Sequence, residues 1–282
     1  MTPRRTISLA ALTVLELDPE QQVRVAAEAG FDAVGIRLVP ATPEEPQRDT
    51  LGQTPLIRRT KFALEETGLF VTDVEILRLK PETRVREDFA VFFETAAYLG
   101  ARNALIAGND ADHNRQADNY AELCEVAAEY GITPNLEPMP WTEIKNIAEA
   151  MFCIERAVTR GGVAATNAAI LLDAIHFDRS TSTVEDLRSL DEKWLRYAQL
   201  CDAPAEKPTE LAELLHQGRA HRYPPGQGGL DLVSFLNALP ADLPLSIEAP
   251  VVATAHLPAI DRARTALQAT RDLLARPDVT GR

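Results

Sequence analysis

The stretch that decides the fold is Gly131-Ile132-Thr133-Pro134-Asn135-Leu136-Glu137-Pro138-Met139-Pro140-Trp141. Residues 131–136 have the composition of a strand that ends on the carboxylate Glu137, and Pro138 and Pro140 then stop the ladder. Packing poorly explains a charged residue at the C-terminal end of an apolar strand. An α/β barrel explains it well, because the strand ends of a barrel converge on one site. A helix N-cap or a surface glutamate is the alternative at this point.

A repeated unit extends this pattern along the first half of the chain. Four times, at Gly30, Gly68, Gly100 and Gly131, an amphipathic helix ends at a glycine and an apolar strand follows within a few residues. Glycine ends a helix in the left-handed conformation without a Cβ clash. The four glycines are spaced 31 to 38 residues apart. One helix, one strand and two short loops need about that length.

The strand pattern predicts a closed (β/α)8 TIM barrel as one domain over residues 1–282. The predicted strands are residues 7–10, 33–37, 70–76, 104–107, 132–137, 168–173, 197–201 and 244–248. An open doubly wound sheet is the alternative, but no Gly-rich phosphate-binding fingerprint follows the first strand. Helices are predicted to start at Asp18-Pro19, Thr54-Pro55 and Trp141-Thr142, and to cover residues 87–99, 114–129 and 259–274.

Charge and cysteine content limit the function classes. A net charge of −13 argues against nucleic acid and against an anionic membrane surface as partners. The same charge suits a cytoplasmic protein with a small-molecule substrate, and it is compatible with cation binding. Three cysteines in no metal or redox spacing indicate packed thiols in a reducing compartment.

Arg4-Arg5 before the apolar residues 7–15 imitates a twin-arginine signal, but Glu16 closes this short run, so we predict a strand.

One long connection breaks the regular spacing, between Asp202 and Leu230. It contains four prolines and the run Gly226-Gln227-Gly228-Gly229. Long connections inside a domain are usually functional or disordered. Because this one leaves a strand end, we predict that it covers the barrel mouth and brings Arg222 towards the site.

Four successive strand ends carry oxygen ligands: Glu137, Asp173, Gln199 and Glu248. In a barrel these strands are neighbours, so their side chains would surround one cavity. Three carboxylates there would repel each other unless a cation lay among them. Oxygen ligands favour one hard divalent ion, Mg²⁺ or Mn²⁺, over zinc.

Further side chains complete the predicted site. His176 follows Asp173 by three residues and must lie in the loop beyond the strand to serve the same cavity. Arg222, on a Pro/Gly-braced loop, could hold a substrate hydroxyl or carboxylate. Trp141 is expected either to wall the pocket or to pack in the core. Glu75 and Arg78 are expected either to bind polar substrate groups or to be solvated rim charges.

Several motifs together give the chain a family resemblance: Leu136-Glu137-Pro138, Leu172-Asp173-Ala174-Ile175-His176, Gln199-Leu200-Cys201-Asp202-Ala203, Pro225-Gly226-Gln227-Gly228 and Ser246-Ile247-Glu248. The chain resembles the xylose-isomerase-like barrels of the sugar isomerase/epimerase and endonuclease IV superfamily. The resemblance implies that Glu137, Asp173 and Glu248 bind metal and that both glutamates act as acid and base. It also implies that His176 and Arg222 contact substrate. Gln199 departs from the commoner histidine and resembles bacterial 3-dehydroshikimate dehydratases.

The sequence therefore predicts a metal-dependent enzyme that enolises a small polyhydroxylated carbonyl compound. An isomerase or epimerase of a keto sugar is the first hypothesis, with Glu137 and Glu248 as proton-transfer groups assisted by His176. A 3-dehydroshikimate dehydratase-like lyase is the second. A barrel that binds ligands without turnover is the third, and a homodimer is left open.

Overall fold

Eight parallel strands pair in chain order and close on themselves, since β8 pairs with β1 as well as β7. The computed structural model describes residues 5–282, so Arg4 of the signal-like pair lies outside the described residues. The predicted (β/α)8 barrel is confirmed. The strands are β1 Ile7–Leu9, β2 Ala33–Arg37, β3 Phe70–Leu79, β4 Asn103–Gly108, β5 Thr133–Glu137, β6 Ala169–Asp173, β7 Leu195–Leu200 and β8 Leu245–Ile247.

Eleven α-helices occur in the described residues. They are α1 Pro19–Ala29, α2 Pro55–Thr67, α3 Val85–Leu99, α4 His113–Glu129, α5 Ile147–Arg160, α6 Gly162–Asn167, α7 Ala174–Arg179, α8 Val184–Ser189, α9 Leu211–Arg219, α10 Leu232–Asn237 and α11 Ala259–Leu274. The first two begin as predicted, with Asp18 in a capping box and Thr54 accepting from the amide of Ile57. No helix in this part of the chain is both long and apolar enough to cross a membrane.

One local prediction was wrong, and one helix in the long connection was not predicted. The fifth helix begins at Ile147 rather than at Trp141, and its N-cap is Asn146, which accepts from the amide of Glu149 at 3.0 Å. The hydroxyl of Thr142 instead donates to the carbonyls of Met139 and Ile144, which holds a turn between β5 and α5. The second difference is α9, a regular helix inside the connection that looked irregular. Its sequence has helical composition, which the surrounding prolines and glycines obscured.

Side chains alternate along each strand between the helices outside and the barrel interior. The interior holds a small apolar layer of Ile76, Leu105, Ala107, Met139, Leu171 and Tyr197, separate from the larger core under the helices. Asp173 and Gln199 lie two residues beyond Leu171 and Tyr197 on the same faces of their strands. The interior therefore changes from apolar to polar towards the C-terminal strand ends, where the site lies.

Candidate active site

The C-terminal ends of β5 to β8 bring the four predicted metal ligands to one end of the barrel. Glu137 and Asp173 are the last residues of β5 and β6, and Glu248 directly follows β8. Gln199 is in register with Asp173 on one side and with Ser246 on the other. All four predicted ligands are buried. Barrel closure thus places side chains from four separate βα units around one cavity.

A metal-compatible cluster lies at the centre of this group. One donor atom each from Glu137, Asp173 and His176 lies within 4.8 Å of the others, which is close enough to hold a metal ion. Gln199 and Glu248 flank it, and Gln199 Nε2 donates to Glu248 Oε1 at 3.3 Å. Gln199 Oε1 and Glu137 Oε1 are buried without a hydrogen-bond partner among residues 5–282. A cation would satisfy such oxygens, so the residues fit a divalent metal.

Arg222 ties two of these carboxylates together. Its Nη1 donates to Asp173 Oδ2 at 2.6 Å, and its Nη2 lies 3.0 Å from Glu248 Oε2. Its Nε donates to the carbonyl of Gly218, and only 1% of the residue is exposed. The long connection does bring Arg222 to the site, as predicted. Because its donors already bind protein groups, the guanidinium positions the carboxylates, and its predicted contact with substrate stays a prediction.

His176 reaches the site from the first turn of α7, just beyond β6. Asp173 caps this turn, because its Oδ1 accepts from the amides of Ile175 and His176 at 2.8 and 3.2 Å. The imidazole Nε2 lies 3.6 Å from Glu137 Oε1, and the Trp141 ring meets the imidazole edge-on at 4.7 Å between centroids. Burial lowers the pKa of His176 to about 4, although the negative charge of Asp173 acts to raise it. The imidazole is therefore neutral at pH 7 and can act as a ligand or hydrogen-bond partner.

The carboxylates differ in their tendency to ionise. Burial raises the pKa of Glu137 well above its usual value, and the charges of Asp173 and Glu248 add to the rise. Burial also raises the pKa of Glu248 to about 8, although Arg222 opposes this. For Asp173 burial acts in the same direction, but Arg222 and then His176 hold the pKa of this carboxyl below the usual range. The site thus contains a stable anion beside two glutamates that readily hold protons.

Glu75 is not a solvated rim charge. Its side chain is 1% exposed, and its Oε2 lies 2.9 Å from Arg37 Nη2. Arg37 Nη1 also binds both carboxylate oxygens of Glu45, at 2.7 and 2.9 Å. These charges line the same cavity as Glu137 and Glu248. Glu75 is therefore placed to reach a ligand, while its predicted role in substrate binding stays a prediction.

A small cavity of about 50 Å³ lies over the carboxylates, and Trp141 forms part of its wall. The indole packs directly on Gly218 in α9, where an added Cβ would lie 2.3 Å from Trp141 Cη2. This contact seats α9 on the mouth of the barrel. The prediction that the connection 202–230 covers the mouth agrees with this placement, because Gly218, Arg219 and Arg222 all line the cavity.

The comparison with protein families decides where this site belongs. The model described as "Xylose isomerase-like TIM barrel" matches residues 23–273, which is most of the chain. The chain belongs to the xylose isomerase-like TIM barrel family. The resemblance drawn from the strand-end motifs is thereby confirmed.

Proteins similar to this chain in sequence or in fold include a dehydratase and an epimerase. A curated 3-dehydroshikimate dehydratase from Pseudomonas aeruginosa is 27% identical over 256 residues, and the match covers 86% of this chain but only 37% of the relative. The IOLI protein, solved with a zinc atom, has a TM-score of 0.77 at 20% identity and covers 96% of this chain and 98% of its own. A D-allulose 3-epimerase from Methylomonas sp. has a TM-score of 0.65 at 18% identity, covering 95% and 98%.

Sequence reasoning missed several charged residues of the xylose isomerase-like barrel. Asp73 is fully buried inside it, and neither carboxylate oxygen has a hydrogen-bond partner among residues 5–282. Arg37, Glu45 and Arg219 also line the cavity without having been predicted. The signal for Asp73 was present, because Asp73 and Glu75 alternate with Val74 on one strand and so point to one face. Their position on β3, outside the β5 to β8 series, hid it.

Proposed function

We propose that the chain is a divalent-metal-dependent isomerase or epimerase that acts by enolisation on a small keto sugar or related polyhydroxy carbonyl compound. The observation that carries this proposal is the pair of buried glutamates, Glu137 and Glu248, which line one cavity from different strands. Two such groups within reach of the substrate allow a proton to be removed at one position and returned at another or on the opposite face. The epimerase among the solved structures of this fold supports the same reaction class.

Each remaining side chain has a role in this scheme. Glu137 and Glu248 exchange protons with the substrate. Burial raises the pKa of both carboxyls, which suits groups that must hold and release a proton. Neutral His176 donates or accepts a hydrogen bond at the reacting oxygen. Arg222 fixes the orientation of Asp173 and Glu248. Trp141 and α9 exclude water from the cavity.

A divalent metal would be held by Glu137, Asp173, Gln199 and Glu248, with the nitrogen of His176 as a further donor. When bound, it would polarise the substrate carbonyl and offset the charge of the enolate. The oxygen donors favour Mn²⁺ or Mg²⁺. The His176 nitrogen, and the zinc atom in the IOLI protein, make Zn²⁺ the third candidate.

A dehydratase of the 3-dehydroshikimate type is the second candidate. Two observations favour it: the 27% identity to the Pseudomonas aeruginosa enzyme, and Gln199 in place of the commoner histidine. Both reactions share the first step, in which a proton is removed beside a carbonyl. They differ in whether the proton is returned to carbon or a β-hydroxyl leaves, and the substrate decides that outcome.

Proton exchange with D₂O tests the shared step. The protein is incubated with Mn²⁺ and a panel of keto sugars and 3-dehydroshikimate, and NMR follows loss of C–H signals and formation of products. We expect exchange in at least one compound. Glu137→Gln and Glu248→Gln should each slow it by about 10²-fold or more, the usual contribution of a general acid or base.

The matched control is Glu155→Gln, which removes an exposed carboxylate on α5 that lines neither the cavity over the carboxylates nor the larger cavity beside it. It should exchange at the wild-type rate. Equal rates in the wild type and both site variants would remove Glu137 and Glu248 from the reaction. A new epimer or isomer supports the first candidate, and a dehydrated product supports the second.

A further inference from the structure

Four arginines line the cavity above the carboxylates: Arg37, Arg78, Arg219 and Arg222. Two of them are neutralised by protein groups. Arg37 contacts Glu45 and Glu75, and Arg222 contacts Asp173 and Glu248. The other two, Arg78 and Arg219, form no ion pair with any residue that the structure describes.

Arg78 is held in place by neutral groups only. Its Nη1 donates to Asn109 Oδ1 at 3.0 Å, and its Nη2 donates to the carbonyl of Ala41 at 3.3 Å. The side chain is half-buried at the end of β3. Burial lowers the pKa of Arg78, and the positive charges of Arg219 and Arg37 lower it further. The charges of Glu137 and Glu45 oppose this lowering less strongly. Arg78 is therefore oriented by hydrogen bonds to neutral groups and has no ion-pair partner within residues 5–282.

Arg219 lines the same cavity from a different element. It is the last residue of α9 and directly follows Gly218, whose contact with Trp141 seats the helix. The side chain is exposed, and in residues 5–282 it makes no hydrogen bond or ion pair. When α9 is seated on Trp141, the guanidinium of Arg219 therefore extends along the cavity without a bonded partner. An acidic group that it influences is the exposed Glu44, whose pKa is lowered by a hydrogen bond with Thr42 and also by the charge of Arg219.

Two guanidinium groups beside one cavity favour an oxyanion. Each presents planar N–H donors that match a carboxylate or phosphate, and the anion removes the repulsion between the two cations. Arg78 and Ala41 also line a larger outer cavity of about 860 Å³ next to the inner one. A substrate with its reacting carbonyl at Glu137 and Glu248 has room there for an acidic end.

We propose that Arg78 and Arg219 form an anion subsite that binds a carboxylate or phosphate group of the substrate. The substrate is then an acid or phosphate ester of a polyhydroxy carbonyl compound, rather than a neutral sugar. This inference rests on the proposed function in one respect, because the bound molecule is a substrate only if the proposed reaction takes place. The subsite itself depends only on Arg78 and Arg219.

Matched polyols test the subsite by binding alone. Calorimetric titration of the Mn²⁺-loaded protein compares D-glucitol with D-gluconate and with D-glucitol 6-phosphate, which differ from it by one anionic end. We expect one of the anions to bind at least about 10-fold more tightly than D-glucitol, as one charge-assisted contact provides. Which anion is preferred decides between carboxylate and phosphate.

Arginine variants then locate the preference. Arg78→Met and Arg219→Met should each reduce it, and the double variant should abolish it. The control is Arg86→Met, which removes one exposed positive charge on α3 and should leave the preference unchanged. A preference that survives the double variant would come from the metal instead, and it would overturn the subsite. Two other results would also overturn the subsite. In one, D-glucitol binds as tightly as both anions, and in the other, none of the three compounds binds.

The two proposals fail separately. Anion preference without proton exchange in D₂O would contradict the enolisation reaction but would still support the subsite. Proton exchange on a neutral keto sugar, without any anion preference, would support the reaction and remove the subsite.

Discussion

At the scale of single residues, Asp73 has the least favourable environment described for a charged group. It lies inside the barrel, fully buried, and its two oxygens have no hydrogen-bond partner in residues 5–282. Gly35 makes room for it, because a Cβ there would lie 2.8 Å from Asp73 Oδ1. Burial raises the pKa of Asp73 well above its usual value, and the charges of Glu75 and Glu248 raise it further. We infer that Asp73 is a neutral acid in the folded protein.

Replacing Asp73 with asparagine tests this inference. A carboxyl with a raised folded pKa binds more protons in the folded chain, so stability falls as pH rises above the unfolded pKa of about 3.9. Asp73→Asn removes this loss. We expect the free energy of unfolding of the variant to exceed that of the wild type at pH 8, by an amount that shrinks towards about pH 4. The difference should change by up to about 1.4 kcal/mol per pH unit.

Urea unfolding at several pH values measures this difference. Asp49→Asn, at an exposed position, is the control and should follow the wild type throughout. Parallel pH profiles for wild type and Asp73→Asn would mean that Asp73 ionises normally.

At the scale of elements, α9 decides how the mouth of the barrel is closed. The helix spans nine residues in the connection between β7 and β8, and it is not part of the barrel sheet. Its position depends on Gly218 against Trp141, and on hydrogen bonds from Arg222 to the carbonyl of Gly218 and from Arg179 to Gln217 Oε1. The buried residues of α9 are Gln217 and Gly218. A helix that buries so little apolar surface is expected to open locally at low cost in free energy. Closure of α9 would therefore control access of substrate to the carboxylates.

The variant Gly218→Ala tests this role of α9. Alanine favours a helix by about 1 kcal/mol over glycine, so helix propensity alone predicts slower hydrogen exchange in α9. The contact of 2.3 Å with the indole predicts the opposite, because the helix or Trp141 must move. We expect steric displacement to dominate, with faster exchange of the α9 amides and little change in the melting temperature.

The double variant Gly218→Ala with Trp141→Ala supplies the control. It removes the ring that the new methyl group would meet, so its α9 should exchange no faster than in Trp141→Ala alone. Slower exchange in Gly218→Ala than in the wild type would show that Trp141 does not determine the position of α9.

At the scale of the whole molecule, barrel closure concentrates negative charge at one end. Glu137, Asp173 and Glu248 come from three strands, and one guanidinium offsets part of their repulsion. Burying these groups costs free energy unless a cation or protons compensate the charge. Metal binding is therefore expected to stabilise the fold as a whole.

Thermal unfolding measures this coupling. Mn²⁺ at about 100 times its dissociation constant should add about 2.7 kcal/mol, and raise the melting temperature by several degrees. Removal of metal with a chelator should reverse the change. Glu137→Gln should be more stable than the wild type without metal and should respond less to Mn²⁺, because it removes both a buried repulsion and a ligand.

Glu155→Gln is again the exposed control, and its response to Mn²⁺ should equal that of the wild type. Absence of any rise with Mn²⁺, Mg²⁺ or Zn²⁺ would exclude this cluster as a metal site.

The sequence by itself determined the barrel and the position of its site. Helix-ending glycines, strand-length apolar runs and the spacing between them are local signals, and together they predicted closure in chain order. Glu137, Asp173, Gln199 and Glu248 were identifiable because each ends an apolar run. The start of α5 was misjudged, and the helices α6 to α10 were not predicted. One of them, α7, holds His176 where a loop was expected. Proline and glycine obscured the local pattern around α5 and α9.

Only the tertiary structure decided how the side chains pair. Arg222 contacts Asp173, 49 residues away, and α9 is seated by Trp141 across the barrel mouth. Asp73 is buried because Gly35 on the neighbouring strand leaves space for it. Such contacts depend on the closure of the barrel and on the volumes of distant side chains. Periodicity along the chain carries information on which face a residue occupies, but none on what that face meets.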